Sequence, residues 1–297
     1  MTRAFRLAAA FWCAVAAAAA ARGAEPELRI AVSESIMGEM NSNDAGVAMR
    51  TWADAVARQT GLRFQPELCT SSQLIQKVRK NEVDAFSLNI FEFARVAAYA
   101  GPEVVVDASQ LPGGDEYLLL VNRAGGIARL ADLRGRSLLV QKNSRTCLAK
   151  IWLDTLLASA RLERADAFLG RIEDSPKLSR VVLPVFFRQT DACLVTRLGY
   201  ETLCQLNPQI GRELRPLAVS PKVVTTFLAF QKTNRPDVQR RFVAAVTHLQ
   251  DTVAGQQVLM LFAGSRMVAV DSSVLASALD LLHAYQRIEG RTPDPGQ

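Results

Sequence analysis

Five clusters of small polar residues stand where apolar runs meet helical stretches. Ser33, Glu34 and Ser35 follow the run Leu28–Val32, and Cys69, Thr70, Ser71 and Ser72 follow Leu62–Leu68. Ser87 and Asn89 close Val83–Leu88. Further on, Gln141, Lys142, Asn143, Ser144, Arg145 and Thr146 come after Leu138–Val140, and Gln189, Thr190 and Asp191 lie between a helical stretch and Ala192–Val195. Hydroxyls, amides and free backbone N–H groups at helix N-termini suit a tetrahedral oxyanion, because donors and partial positive charge converge there. Lys142 or Arg145 can add charge-assisted bonds. Ser, Thr and Asn at helix starts are, taken singly, most often plain N-caps. Five clusters at strand ends together point to a shared site for a small anionic ligand.

The same chain offers no catalytic set. Its two histidines, His248 and His283, fall in C-terminal helical stretches away from every cluster. There is no GxSxG elbow, P-loop, HExxH or dinucleotide-binding glycine pattern. The pairs Gly113-Gly114 and Gly125-Gly126 read as turns, and Cys147 has no evident base. Cys69, Cys147, Cys193 and Cys204 form no CxxC pair, so neither a zinc site nor a thioredoxin-type motif has its spacing. Three disulfide pairings or four separate thiols both remain open. The expectation is a binding protein with no cofactor, no metal ion and no chemistry of its own.

The elements that would position these clusters alternate. Strands at Leu28–Val32, Leu62–Leu68, Val83–Leu88 and Val104–Val106 flank helices over Asp44–Thr60, Leu74–Lys80 and Phe91–Ala100. Such a rhythm with short connections predicts a parallel sheet covered by helices. A turn cluster, Leu111-Pro112-Gly113-Gly114, then precedes the strong strand Glu116–Asn122. A second α/β set follows: strand Leu138–Val140, helix Cys147–Ser159, helix Ser175–Phe187, strand Ala192–Val195, helix Tyr200–Leu206 and strand Leu214–Val219. Val223–Phe230 reads as one more strand. The C-terminal third is helical, through Gln250, near Gly255–Phe262 and over Ser272–Arg287, before the polar tail Thr292–Gln297. The fold class is α/β, with two sandwich lobes joined by two crossing strands, EYLLLVN and VVTTFLAF. The expected division is 24–118 for the first lobe, 119–222 for the second, and 223–297 for the return strand and helices. Ligands in such sheets gather at the carboxyl ends of strands.

The N-terminus sets the compartment. Arg3 and Arg6 precede the apolar run Leu7–Ala21, and Ala21, Gly23 and Ala24 follow. That order describes a secretory signal peptide over residues 1–23, and the run is short for a bilayer span of about 20 residues. The 297-residue chain has 35 Lys+Arg against 29 Asp+Glu, a formal charge of +6. Half of that surplus leaves with Arg3, Arg6 and Arg22. A mild surplus without a basic block excludes nucleic acid as the natural partner.

Three stretches carry a family resemblance: VRKNEVDAFSLNIFEFARV (Val78–Val96), LADLRGRSLLVQKNSRT (Leu130–Thr146) and VLPVFFRQTDACLVTRLGYETLCQLNPQIGRELRPLAVSP (Val182–Pro221). From Leu28 to about Gly264 the chain resembles the phosphate/phosphite/phosphonate-binding proteins of ABC transporters, within the type II periplasmic binding fold. The resemblance implies flytrap closure around a phosphorus oxyanion, a periplasmic location, a monomer, delivery to an ABC permease in the membrane, and no catalysis. By position it implies that Thr70 and Ser71 belong to the second binding loop and Asn89 to the third. It places Ser144 and Thr146 in a hydroxyl-bearing loop, into which Arg145 intrudes, and Gln189 and Asp191 in the last loop. There the aspartate either accepts a bond from the ligand or caps the next strand. A ligand sensor serving a membrane signalling partner, or a binder of another small anionic metabolite, would use the same closure.

Overall fold

The computed structural model describes residues 28–37, 42–111, 114–261 and 264–290. The expected signal peptide, Pro112, Gly113 and the polar tail lie outside the described residues. Eleven strands are named here: β1 (Leu28–Ser33), β2 (Phe64–Cys69), β3 (Ala85–Asn89), β4 (Ala100–Asp107), β5 (Tyr117–Asn122), β6 (Ser137–Gln141), β7 (Arg171–Ser175), β8 (Ala192–Thr196), β9 (Leu214–Val219), β10 (Thr226–Gln231) and β11 (Met267–Asp271). They form a six-stranded sheet, ordered β11-β4-β10-β3-β1-β2, and a five-stranded sheet, ordered β7-β6-β8-β5-β9.

In the first sheet β1 lies parallel to both β2 and β3. Parallel neighbours need a crossover, supplied by the helices Ser42–Thr60 and Ser71–Arg79. Gly61, with φ at +66°, ends the first of these, its N–H reaching the Ala57 carbonyl at 2.8 Å. In the second sheet β6 lies parallel to β7 and β8.

The two strongest apolar segments do not themselves span between lobes. β5 sits inside the second sheet, antiparallel to β8 and β9. β10 sits inside the first, antiparallel to β3 and β4. Each has partners on both edges, which is why every residue of β5 and all of β10 beyond Thr226 are buried and why both read as unbroken hydrophobic runs. The connections between lobes are the shorter stretches ahead of them. These pair once: Asp115 N–H donates to the Val223 carbonyl at 3.0 Å, and Val223 N–H to the Asp115 carbonyl at 2.9 Å. Gln110 adds a side-chain stitch, donating from Nε2 to the Thr226 carbonyl at 3.1 Å.

One hydrophobic core runs through both lobes. It joins Leu74 and Phe93 of the first to Tyr117, Leu138 and Trp152 of the second, and includes Leu281 and Leu282 of the last helix, Ala276–Ile288. That helix packs on the helix Ala149–Ser159 of the second lobe. Arg164 fastens it, donating to the Tyr285 hydroxyl at 2.6 Å and lying 3.4 Å from both Asp154 and Glu289.

Two strands were not legible. β7 carries the polar sequence RIEDS, and it precedes a helix that begins only at Leu178 rather than at Ser175. β11 has no fully buried residue. Both are edge strands, with one neighbour and partial solvent contact, so they lack the apolar signature of central ones. The four described cysteines are free thiols, the second of the two alternatives.

The tightest contact in the connections is at Gly114, whose φ is +116° and whose absent Cβ would stand 2.3 Å from the Val223 carbonyl carbon. Gly114→Ala is expected to cost at least about 2 kcal/mol of stability, from the strained φ and the enforced separation. Urea denaturation checks it; an unchanged midpoint would mean that the two connections are free to part.

Candidate functional site

At the carboxyl ends of β1, β2 and β3 the expected polar residues do meet, and they meet around a residue the sequence reading passed over. Glu92, 3% exposed, accepts from the Ser33 hydroxyl at 2.5 Å, the Ser35 hydroxyl at 3.0 Å, the Ser71 hydroxyl, and the Asn89 N–H at 3.0 Å. Asn89 completes the arrangement as N-cap of the short helix Ile90–Ala94: its Oδ1 accepts from Glu92 N–H, and its Nδ2 donates to Ser35 at 2.9 Å. The signal was present as Asn89-x-x-Glu92, a capping box.

The consequence is chemical. A hydroxyl has one proton to give, and those of Ser33, Ser35 and Ser71 go to Glu92. The first lobe therefore holds a carboxylate of its own in the cradle expected for a ligand oxyanion. Thr70 is an N-cap to the helix Ser71–Arg79, exchanging bonds with Gln73.

The second lobe's loop after β6 is built differently. Asn143 and Thr146 satisfy one another: Asn143 Oδ1 accepts from the Arg145 and Thr146 N–H groups, and Thr146 Oγ1 accepts from Asn143 N–H at 2.9 Å. Tyr117, fully buried, donates its hydroxyl to the Arg145 carbonyl at 2.8 Å, and burial pushes its phenol well above the usual range, so it stays a donor. With the loop pinned, Arg145 reaches across to the first lobe. Its Nη2 donates to Ser109 Oγ at 2.7 Å and lies 3.7 Å from Asp107 Oδ1. Its Nη1 is shielded from solvent and has no hydrogen-bond partner among the described residues.

Asp107, at the end of β4, is already well served, accepting from the Ser109 and Ser265 N–H groups at 2.8 Å each and from the Ser109 hydroxyl. Ser144 and Arg145 from the second lobe, with Ser87, Asp107, Gln110 and Thr226 from the first, line one side of a cavity of about 190 Å³. Its remaining wall is apolar, including Met49, Trp52, Leu249 and Met267. Neither this wall nor Asp107 was among the expected site residues.

Gln189 and Asp191 lie elsewhere. Parallel pairing sets Leu138 beside Ala192, so Asp191 stands at the start of β6 and β8, the opposite end of the sheet from Asn143–Thr146. Asp191 accepts there from the Ser137 N–H at 2.9 Å and hydroxyl at 2.7 Å, with Arg136 at 3.4 Å. It caps a strand, the second of the two roles weighed for it, and these bonds hold its carboxyl below the ordinary range against the opposing effect of burial. Gln189 is exposed, its N–H closing the helix Leu178–Phe186 on the Pro184 carbonyl. At the carboxyl end of β8 stands Thr196, capping the helix Arg197–Leu206.

The family model for periplasmic substrate-binding proteins of phosphonate ABC transporters matches residues 38–275. The backbone is similar to a binding-protein component of an ABC phosphonate transporter from Pseudomonas aeruginosa, with TM-score 0.55 and 18% identity over 90% of this chain and 88% of that one. It is similar to PhnD1 from Prochlorococcus marinus in complex with methylphosphonate, at TM-score 0.56 and 12% identity over 90% and 99%. It is also similar to the periplasmic aliphatic sulphonate-binding protein SsuA from Escherichia coli, at 0.50 and 14% over 90% and 88%. At these identities the likeness is one of fold. No curated protein matches by sequence.

Asp115, in the connections, gives the stability of the fold a pH signature. Its Oδ1 accepts from the Glu116 and Leu198 N–H groups, while Oδ2 is buried without a partner among the described residues. Burial raises its pKa above the usual aspartate range, outweighing those bonds and the nearby Arg145 charge. The folded chain thus holds this proton more tightly than the unfolded one. The stability it contributes is complete below the ordinary aspartate pKa and is lost as pH rises through the raised one. Asp115→Asn, which keeps an Oδ1 acceptor, is expected to melt above the parent at pH 7 and to lose that lead in acid. Melting curves across pH check it; a difference that does not vary with pH would remove the buried charge as its cause.

Proposed function

The chain belongs to the family of periplasmic substrate-binding proteins of phosphonate ABC transporters, and from that premise we propose that it captures a small phosphorus oxyanion between its lobes for delivery to a membrane permease. The protein acts in the periplasm as a monomer, after removal of residues 1–23, and does no chemistry on its ligand. The observation that carries the capture is Arg145: it leaves the second lobe, bonds to Ser109 of the first, and lines a cavity there together with Ser144. Charge-assisted bonds from a guanidinium are among the stronger ways to hold an oxyanion. Ser144, beside it, adds a hydroxyl. The two lobes serve as the closing halves, divided at the paired connections ahead of Tyr117 rather than after residue 118, with ligand favouring the closed form.

Support for binding without catalysis is chemical. Burial pushes the Cys147 thiol up to about 12, so it presents no thiolate at neutral pH. His248 is exposed and engaged with Asp251 at 2.8 Å, beyond the end of the helix Pro236–Thr247.

A thermal-shift panel of phosphate, phosphite, methylphosphonate, an alkylsulfonate and unrelated metabolites tests the reading. A true ligand at a hundred times its dissociation constant adds about 2.7 kcal/mol. Ser144→Ala is expected to weaken that ligand by roughly 1–2 kcal/mol. The absence of any shift with the phosphorus compounds would overturn the proposal.

A further inference from the structure

Half of the cavity wall has no use for an oxyanion. Met49 and Trp52 of the helix Ser42–Thr60, Leu249, and Met267 of β11 face the same space as Arg145 and Ser144. Oxygen atoms of phosphate or phosphite set against that wall would lose water and gain no hydrogen bond there. We propose that this wall receives the organic substituent of the ligand, so that the preferred substrates are phosphonates carrying an aromatic or branched aliphatic group. The inference rests on the capture proposed above and specifies its substrate class.

Three observations converge on it. The space fits: an apolar cavity of about 150 Å³ stays dry and accepts benzene, and this one measures about 190 Å³. The head has an anchor on the same cavity, since Arg145 and Ser144 both line it, and a guanidinium with a neighbouring hydroxyl offers the donors an oxyanion takes. The charges also select a single negative end. Asp107 on this cavity is saturated by Ser109 and Ser265, and the hydroxyls of Ser33, Ser35 and Ser71 are committed to Glu92. Among the described residues that line the cavity Arg145 is the one cation and Asp107 the one acid, so a second negative group would meet Asp107 with no second cation to offset it, and a neutral far end is favoured. One molecule satisfies all three: an oxyanion on Arg145 and Ser144, with its carbon body against Trp52 and Met267.

Titration calorimetry of the purified protein with methylphosphonate, phenylphosphonate and benzoate tests this. Each buried methylene is worth roughly fourfold in affinity, so phenylphosphonate is expected to bind at least tenfold more tightly than methylphosphonate. Met267→Trp, which fills the wall, is expected to shrink that ratio. Methylphosphonate binding as tightly as phenylphosphonate would overturn the inference and leave the capture reading standing. Failure of both phosphonates, with or without benzoate binding, would overturn the capture reading and this inference together.

Discussion

The molecule depends on one close contact between two connecting segments. Where the chain leaves the first sheet and where it returns, Asp115 and Val223 exchange backbone hydrogen bonds, and residue 114 has no room for a side-chain carbon. Two backbone segments held this way cannot slide, yet a single bridged pair resists bending far less than a sheet does. A continuous core that includes the helix Ala276–Ile288 also joins the two lobes. Opening that core would expose Tyr117, Leu138 and Leu281 to water, at a cost of about 25 cal/mol for each Å² of apolar surface. In the proposed closure, relative movement would keep that core intact and change the separation of Arg145 from Asp107 on the facing side.

Buried carboxylates decide where positive charge is available on that side. Glu92 receives four donors, Asp107 three, and Asp115 two on one oxygen only. Desolvated charge is tolerated in proportion to such bonds. The first lobe's loops accordingly use their donors internally, although their residue types are those of an oxyanion cradle. The loop after β6 contains no acid, caps itself through Asn143 and Thr146, and leaves Arg145 free to project. On the proposed capture an incoming anion would be met there, and that location follows from hydrogen-bond accounting rather than from residue type.

The accounting also explains how far the sequence was readable. Central strands such as β5, β8 and β10 are buried along nearly their whole length, so composition reveals them, and with them the α/β class. β7 and β11 at the edges carry no such pattern. Among the site residues, Ser33, Ser35, Ser71 and Asn89 were legible as a group because each follows a strand, but their partner was hidden inside a helix start. Glu92 in IFEFA looks like one polar residue on an amphipathic turn until the fold brings β1 and β2 alongside it. Asp191 was legible only as polar and close to a strand. Its position before β8, rather than after it, puts it at the end of a parallel sheet where ligands do not gather. Arg145 was recognised as an intrusion into a hydroxyl loop, while its target, Asp107 with Ser109, follows β4 and required the tertiary structure.

A cleft lined by donors alone would close by electrostatics and would weaken with salt. One that also presents Trp52 and Met267 closes partly by removing apolar surface from water, which salt does not screen and which grows with the size of the group enclosed. The two contributions act on different parts of a ligand. In the proposed reading Arg145 would fix one charged end at the junction of the lobes, where it is bonded across to Ser109. The apolar wall belongs almost wholly to the first lobe, so it can hold a ligand before closure without requiring it. If the lobes close as proposed, binding to the first lobe and closure by the second would be separable steps coupled by Arg145, which is the cavity's charged residue from the second lobe and is bonded across to the first.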